Sequence, residues 1–236
     1  MIQDPNLPGQ ARRDFLIAAG SAAGLAIVGC GASGAASKGP AATTGSERSE
    51  AEVTPGEDLM QEHGLLERIL LIYDEAARRI EQRKPFDLTV LTSSAGIVRR
   101  FVEDYHEKLE EQFVFPRLQT ARREADLVAV LLRQHQRGRE VTIDIVRRAG
   151  SGATAELAQA LRSFARMYRP HAAREDTVLF PAFREVVGGE GYRELGERFE
   201  ETEHELFGEH GFENTVAEVA QLEAALGIAD LAEFTP

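Results

Sequence analysis

The sequence predicts an all-α protein whose core is an up-down-up-down four-helix bundle, and three observations support this. In four long stretches, apolar residues recur at alternating steps of three and four, as they do on the buried face of a helix. Short connections separate these stretches, which favours antiparallel neighbours. Each stretch also carries one histidine on its apolar face. The predicted bundle therefore brings four imidazoles towards one core.

The composition fits one folded domain with appended segments. The chain has 236 residues, of which 43% are hydrophobic and 28% are charged. A formal net charge of −12 argues against a nucleic-acid partner, because nucleic-acid-binding domains present basic surfaces. The single cysteine excludes an internal disulfide framework and a thiolate-rich metal site. No apolar run is long and pure enough to predict a membrane-spanning helix.

Residues 1–30 are interpreted as an export signal. Arg12 and Arg13 precede a mildly apolar run, in a pattern that resembles a bacterial twin-arginine signal. The run ends at Cys30 in what resembles a lipoprotein cleavage box, so Cys30 is the predicted lipidation site and the only predicted membrane anchor. Alternatively, Cys30 lies within a signal that is cut after it. Residues 31–56 are predicted to be a flexible linker, and the protein is expected in the periplasm or envelope of a bacterium.

Residues 57–187 are predicted to form the four-helix bundle. The stretch from Thr54 to Glu57 is typical of a capping box and opens the first helix. Pro116 is expected to kink or end the second helix, and Pro170 to kink the fourth or divide it into two helices, because proline removes a backbone donor and clashes with the preceding turn. Residues 188–236 are predicted to form a shorter helical extension that covers one flank of the bundle.

Two stretches, residues 106–116 and 171–181, share the pattern His-x3-Glu-Glu/Asp-x3-Phe-Pro. Positions four apart lie on one face of a helix, so each copy directs an imidazole and a carboxylate towards the same neighbour. Such a mixed nitrogen and oxygen ligand set suits iron, manganese or zinc. Two copies that face each other in a bundle can hold two ions.

The joint placement of four histidines and two glutamates predicts a metal site. One histidine on an apolar face is usually a core residue with hydrogen-bonded nitrogens, but here every predicted bundle helix carries one. Buried carboxylates are costly unless they are paired or bound to a metal. Tyr73, Tyr105 and Tyr168 lie on or near the same faces and are predicted to be buried aromatic residues rather than ligands. The candidate metal ligands are His63, His106, Glu110, His135, His171 and Glu175.

These residues give the sequence a resemblance to the hemerythrin-like, HHE cation-binding bundles over roughly residues 57–187. The resemblance implies a non-haem di-iron centre in which the four histidines are terminal ligands and Glu110 and Glu175 bridge two iron ions. It also implies a small ligand such as O2, NO or peroxide. The motifs that carry it are Glu62-His63, His106-x3-Glu110 with Phe115-Pro116, Gln134-His135, and His171-x3-Glu175 with Phe180-Pro181.

The sequence departs from the oxygen carriers of that family at two positions. They place a second histidine one turn after the ligand of the third helix, where this chain has Arg139, which is expected to hydrogen-bond a ligand carboxylate or to reach solvent. They take the carboxylate five residues after the histidine of the fourth helix, which is Asp176 here. Glu175 keeps better register and is preferred, with Asp176 as the alternative. His204 is a further candidate ligand, unless it is a solvated residue on an acidic helix.

Two functional classes are compatible with such a centre. The first is a binding module that takes up O2, NO or iron itself for sensing, carriage or storage. The second is an enzyme that decomposes peroxide or oxidises a small substrate, and the missing histidine favours this chemistry over reversible oxygen binding. A zinc or purely structural site is a third option. The sequence assigns no catalytic residue.

Overall fold

The computed structural model describes residues 53–235. The predicted signal, Cys30 and almost all of the predicted linker lie outside the described residues. The described part of the chain contains helices and no strand, which confirms the all-α prediction. None of the helices in that part is both long enough and apolar enough to cross a membrane.

Four helical rods form the bundle. Each packs along two neighbours, and the second and fourth rods also meet at their C-terminal ends. The first rod packs against the second and the fourth, and the third also packs against the second and the fourth. The core between them is lined by leucine, isoleucine, valine and aromatic side chains. The rods are α1 (Pro55–Glu81); α2 (Thr89–Ile97), a π-helical segment (Val98–His106), α3 (Glu107–Leu109), a second π-helical segment (Glu110–Val114) and α4 (Phe115–Ala121); α5 (Ala125–Ala149); and α6 (Ala155–Arg174), a third π-helical segment (Glu175–Leu179) and α7 (Phe180–Val187).

The first rod begins with the predicted capping box. The Thr54 hydroxyl accepts a hydrogen bond from the Glu57 N–H at 3.4 Å, and a Glu57 carboxylate oxygen accepts one from the Thr54 N–H at 3.0 Å. Pro55 occupies the first helical position, where its missing N–H costs nothing. These contacts satisfy backbone donors that the first turn leaves free, so α1 has a defined start.

The second and fourth rods each contain a proline, and neither rod ends there. Pro170 lies inside α6, which runs without interruption to Arg174. Pro116 follows a π-helical segment in which the Phe115 N–H bonds the carbonyl of Glu110, five residues back. The wider π-helical turn replaces the regular bond pattern just before the residue that cannot donate, so the second rod continues to Ala121.

Two further helices, α8 (Gly189–Phe207) and α9 (Gly211–Ala225), cover one flank of the bundle. They contact α1 and, through α9, also α2. The Tyr192 hydroxyl on α8 accepts a hydrogen bond from the Gly56 N–H at 3.0 Å. On α9, Glu223 accepts a hydrogen bond from Nε of Arg68 at 2.9 Å. These contacts hold the extension against the side of the bundle formed by the first and second rods.

Gly138 on α5 makes room for a tyrosine from α6. A Cβ atom added at Gly138 would lie 1.9 Å from the hydroxyl oxygen of Tyr168. That hydroxyl donates a hydrogen bond of 2.7 Å to the buried carboxylate of Glu107. The absence of a side chain at Gly138 therefore lets Tyr168 cross between the rods and reach its partner.

We expect Gly138→Ala to lower the free energy of unfolding by about 1–3 kcal/mol, because the added methyl group must displace a packed aromatic ring. Urea denaturation checks this. Gly64→Ala is the matched control, since a Cβ at Gly64 meets nothing within 4 Å. That change should stabilise α1 by up to about 1 kcal/mol. Equal stability of Gly138→Ala and the wild type would contradict the packing argument.

Candidate metal centre

The four histidines that the sequence singles out meet in the core, one from each rod. His63, His106, His135 and His171 are all buried. The Nε2 atoms of His63 and His106 lie 3.0 Å apart, and those of His135 and His171 lie 3.2 Å apart. The imidazoles therefore form two pairs, whose Nε2 atoms point inwards.

Two glutamates lie between these pairs. One oxygen of Glu175 lies 3.4 Å from Nε2 of His63 and 3.0 Å from Nε2 of His171. One oxygen of Glu110 lies 3.7 Å from Nε2 of His106 and 3.4 Å from Nε2 of His135. Each carboxylate thus faces one histidine from the first pair and one from the second. This is the placement that a carboxylate needs in order to bridge two ions.

The donors of this cluster fit metal cations. Glu110 and Glu175 are fully buried, and among the described residues no donor makes a regular hydrogen bond to any of their four carboxylate oxygens. Ligand atoms of Glu110, His135, His171 and Glu175 all lie within 4.8 Å of one another, as do those of His63, His106 and Glu110. Unpaired buried carboxylates are costly, and cations compensate that cost. The donor set suits two ions that share two carboxylates.

In each of the four inner histidines, the outer ring nitrogen, Nδ1, has its own oxygen partner. Such a partner fixes the orientation of the ring and directs the Nε2 lone pair towards a metal. Nδ1 lies 2.7 Å from Asp176 Oδ1 in His63, 2.6 Å from Glu62 Oε2 in His106, 3.2 Å from Glu111 Oε1 in His135 and 2.9 Å from Gln134 Oε1 in His171.

The adjacent carboxylates of the repeated motif have different positions. Glu175 points into the centre, whereas Asp176 reaches outwards to Nδ1 of His63. In the other copy, Glu110 points inwards and Glu111 contacts Nδ1 of His135. The geometry therefore favours Glu175 over Asp176 as the inner donor, and it gives Asp176 the role of an orienting partner.

The phenylalanine of the Phe-Pro pair in each copy packs on a histidine of the centre. Phe115 stacks on His135 with ring centroids 5.4 Å apart, and Phe180 stacks on His63 at 5.6 Å. In both copies the phenylalanine N–H bonds the carbonyl of the inner glutamate, five residues back, and so ends a π-helical segment. Sequence periodicity did not reveal these π-helical turns, which often mark functional sites.

The electrostatics couple metal binding to protons. Burial opposes a charge on His63, but the hydrogen bond to Asp176 and the contact with Glu175 outweigh it and raise the pKa of His63 to about 9. Burial and the neighbouring charge of Glu175 raise the pKa of Glu110 well above its usual value. Because ligands must bind without these protons, metal loading should release them.

Arg139 was predicted to hydrogen-bond a ligand carboxylate or to reach solvent, and it contacts two carboxylates outside the inner donor set. One of its Nη atoms lies 2.7 Å from an oxygen of Glu111 and 2.6 Å from an oxygen of Glu107. It therefore hydrogen-bonds the carboxylate that orients His135, not an inner one. Burial raises the pKa of Glu107 to about 8, even though the Tyr168 hydroxyl and Arg139 both stabilise its charge.

The remaining candidates lie outside the cluster, and two of its outer partners had no role in the sequence prediction. His204 is half-buried on α8 and belongs to none of the close groups of ligand atoms in the described part of the chain. Tyr73, Tyr105 and Tyr168 are buried, as predicted. Glu62 and Gln134 received no individual role from the sequence. The only sequence feature that marked them is that each directly precedes a histidine on the apolar face of its helix.

Replacing His106 or His171 with alanine should remove at least one bound ion per chain, because each supplies an inward Nε2 atom. Metal analysis of the purified variants checks this. His204→Ala is the matched control and should keep the wild-type metal content. Full loading of both inner variants would contradict the ligand assignment.

The two neighbouring carboxylates should also separate by substitution. Glu175→Gln removes the charge of an inner carboxylate and should lower the metal content. Asp176→Asn leaves every inner donor in place and should weaken metal affinity by about 10–100-fold without lowering the number of ions bound at saturation. Titration with a divalent metal measures both quantities. The reverse ranking of the two variants would make Asp176 the inner ligand.

Comparisons with known proteins agree with this geometry. The family model described as the hemerythrin HHE cation binding domain matches residues 54–183. The uncharacterized proteins Rv1995 of Mycobacterium tuberculosis and Mb2018 of Mycobacterium bovis are 47% identical over 234 residues, which cover 95% of this chain and 91% of each relative. No solved structure matches the chain. The family model spans more than half of the sequence and includes all four inner histidines, so the chain belongs to the hemerythrin HHE cation-binding family.

Proposed function

We propose that the chain holds two iron ions in this centre and binds a small ligand there, O2 or NO, for sensing or carriage. Storage of the iron itself is a related use of the same site. The proposal rests on the position of Glu110 and Glu175. Each of them faces one histidine from the first pair and one from the second. Two shared carboxylates imply two neighbouring ions.

The donor count supports an exogenous ligand. Each ion would receive two imidazole nitrogens and one oxygen from each shared carboxylate. Non-haem iron sites with few protein ligands keep positions open for oxygen. The bound iron would supply those open positions and the electrons for oxygen chemistry, whereas the protein supplies fixed donors in a buried setting. Structural zinc sites, in contrast, are closed and usually rich in cysteine.

The second candidate function is reduction of peroxide or oxidation of a small substrate. It is favoured by the polar group beside His135, where Arg139 and the Tyr168 hydroxyl hold the buried carboxyl of Glu107. Reduction of hydrogen peroxide to two water molecules consumes two electrons, which two ferrous ions can supply, and two protons. Glu107 and the Tyr168 hydroxyl, which share a hydrogen bond of 2.7 Å, are the groups of this cluster that can pass protons.

We also propose that the centre works in the bacterial envelope. The twin-arginine pattern near Arg12 and Arg13 supports export, and Cys30 supports a lipid anchor. The twin-arginine route exports folded proteins, so that iron could be loaded before export.

The test is to load the protein with ferrous iron, expose it to O2 or hydrogen peroxide, and record the visible spectrum. A charge-transfer band that disappears when O2 is removed supports binding. Rapid, irreversible oxidation with consumption of peroxide supports the enzyme. The variant with both His106 and His171 replaced by alanine should show neither response. A colourless protein that binds zinc stoichiometrically and takes up no iron would contradict both functions.

A further inference from the structure

The centre has an internal two-fold pattern that relates its two imidazole pairs. In each pair, one histidine comes from the repeated motif, and the other follows a Glu or Gln at the preceding position. In both pairs, an aromatic ring stacks on the histidine that follows the Glu or Gln, and a carboxylate lies at the Nδ1 atom of that same histidine. The matched positions are His63 with His135, His106 with His171, Glu110 with Glu175, Glu111 with Asp176, Phe115 with Phe180 and Glu62 with Gln134.

The pattern breaks at the outer partners of the first pair. Both His63 and His106 have a carboxylate at Nδ1, namely Asp176 at 2.7 Å and Glu62 at 2.6 Å. In the described part of the chain, the only cationic side chain recorded within 4.0 Å of Asp176 is His63 itself. Glu62 is 2% exposed, so solvent screens its charge little. The first pair therefore has two negative partners behind it.

The second pair has a weaker negative surrounding. His171 faces the neutral amide of Gln134 at 2.9 Å, where His106 faces a carboxylate. The carboxylate behind His135 is Glu111, and Arg139 lies 2.7 Å from the same oxygen. The guanidinium of Arg139 is always charged. It offsets the charge of Glu111 and also lies 2.6 Å from an oxygen of Glu107, whereas no equivalent cation is recorded beside Asp176 in the described part of the chain.

We propose that the two metal positions are unequal and fill in order, first the position at His63 and His106, then the position at His135 and His171. This inference rests on the proposed two-ion centre. A carboxylate that accepts the Nδ1 proton of a ligand imidazole makes that imidazole a stronger donor. A nearby negative charge in a buried site also stabilises a cation directly. Both effects favour the first position, because a divalent ion gains roughly twice as much from these carboxylates as the proton that it must displace from His63.

The inner donors cannot produce this order by themselves. Each position receives two imidazole nitrogens and has access to the same two shared carboxylates. The difference lies in one exchange of near-identical shape, Glu62 against Gln134, and in the cation at Arg139. Glutamate and glutamine differ in charge but hardly in size, so the difference can be exchanged by substitution.

The experiment is a calorimetric titration of the full chain with Co2+ or, without oxygen, with Fe2+. The wild type should bind two ions in two phases whose dissociation constants differ by roughly 10–100-fold. Glu62→Gln should weaken the tight phase by roughly tenfold or more and bring the two phases together. Gln134→Glu should tighten the weak phase by a similar factor, a gain that misfolding cannot imitate.

Glu67→Gln is the matched control, because Glu67 lies on the same helix as Glu62, its side chain is 47% exposed, and its carboxylate pairs with Arg169. It should leave both phases unchanged. Two ions bound with one shared affinity would overturn the inference but leave the two-ion centre intact. Fewer than two ions per wild-type chain would overturn the proposed function as well. If Glu62→Gln fails to fold, the result for Gln134→Glu alone decides: no tightening of the weak phase overturns the inference.

Discussion

The burial of two carboxylates between four imidazoles is the constraint on which the centre depends. Glu110 and Glu175 are fully buried, and burial and the charge of Glu175 both raise the pKa of Glu110, because the two carboxylates repel each other when both are ionised. The surrounding core of aliphatic and aromatic side chains must hold them together against this repulsion. A bound cation replaces repulsion with attraction, and any ligand that binds only the folded state stabilises it. Metal binding and folding are therefore linked through these two residues.

The repeated motif has a structural meaning beyond its pair of ligands. In each copy the first acidic residue faces inwards, the second orients a histidine from another rod, and the phenylalanine stacks on that same histidine. One segment therefore supplies a ligand pair and also positions a ligand on its neighbour. Two such segments, on the second and fourth rods, meet at their equivalent ends and build the centre with internal two-fold symmetry. This explains why the same spacing occurs twice in one chain.

Helical periodicity was sufficient to predict the bundle and the inward position of the four histidines, because burial repeats with the helical turn. It also favoured Glu175 over Asp176, since only Glu175 keeps register with His171. Periodicity could not predict the π-helical segments, two of which end directly before the Phe-Pro pair of a copy. Nor could it predict the partners of the Nδ1 atoms, because contacts between rods depend on the rotation of each helix about its axis.

Arg139 shows how one substitution changes the character of such a centre. At the position where oxygen carriers of the family have a further histidine, this chain places a permanent cation on Glu111 and Glu107. In the proposed two-ion centre, each ion would have two of the four nitrogen donors, and neither ion would gain a ligand at the expense of the other. With the inner donors balanced, any difference between the ions must come from the charges behind the histidines. Those charges come from Glu62 and Asp176 behind the first pair, and from Glu111 and Arg139 behind the second, where Gln134 is neutral.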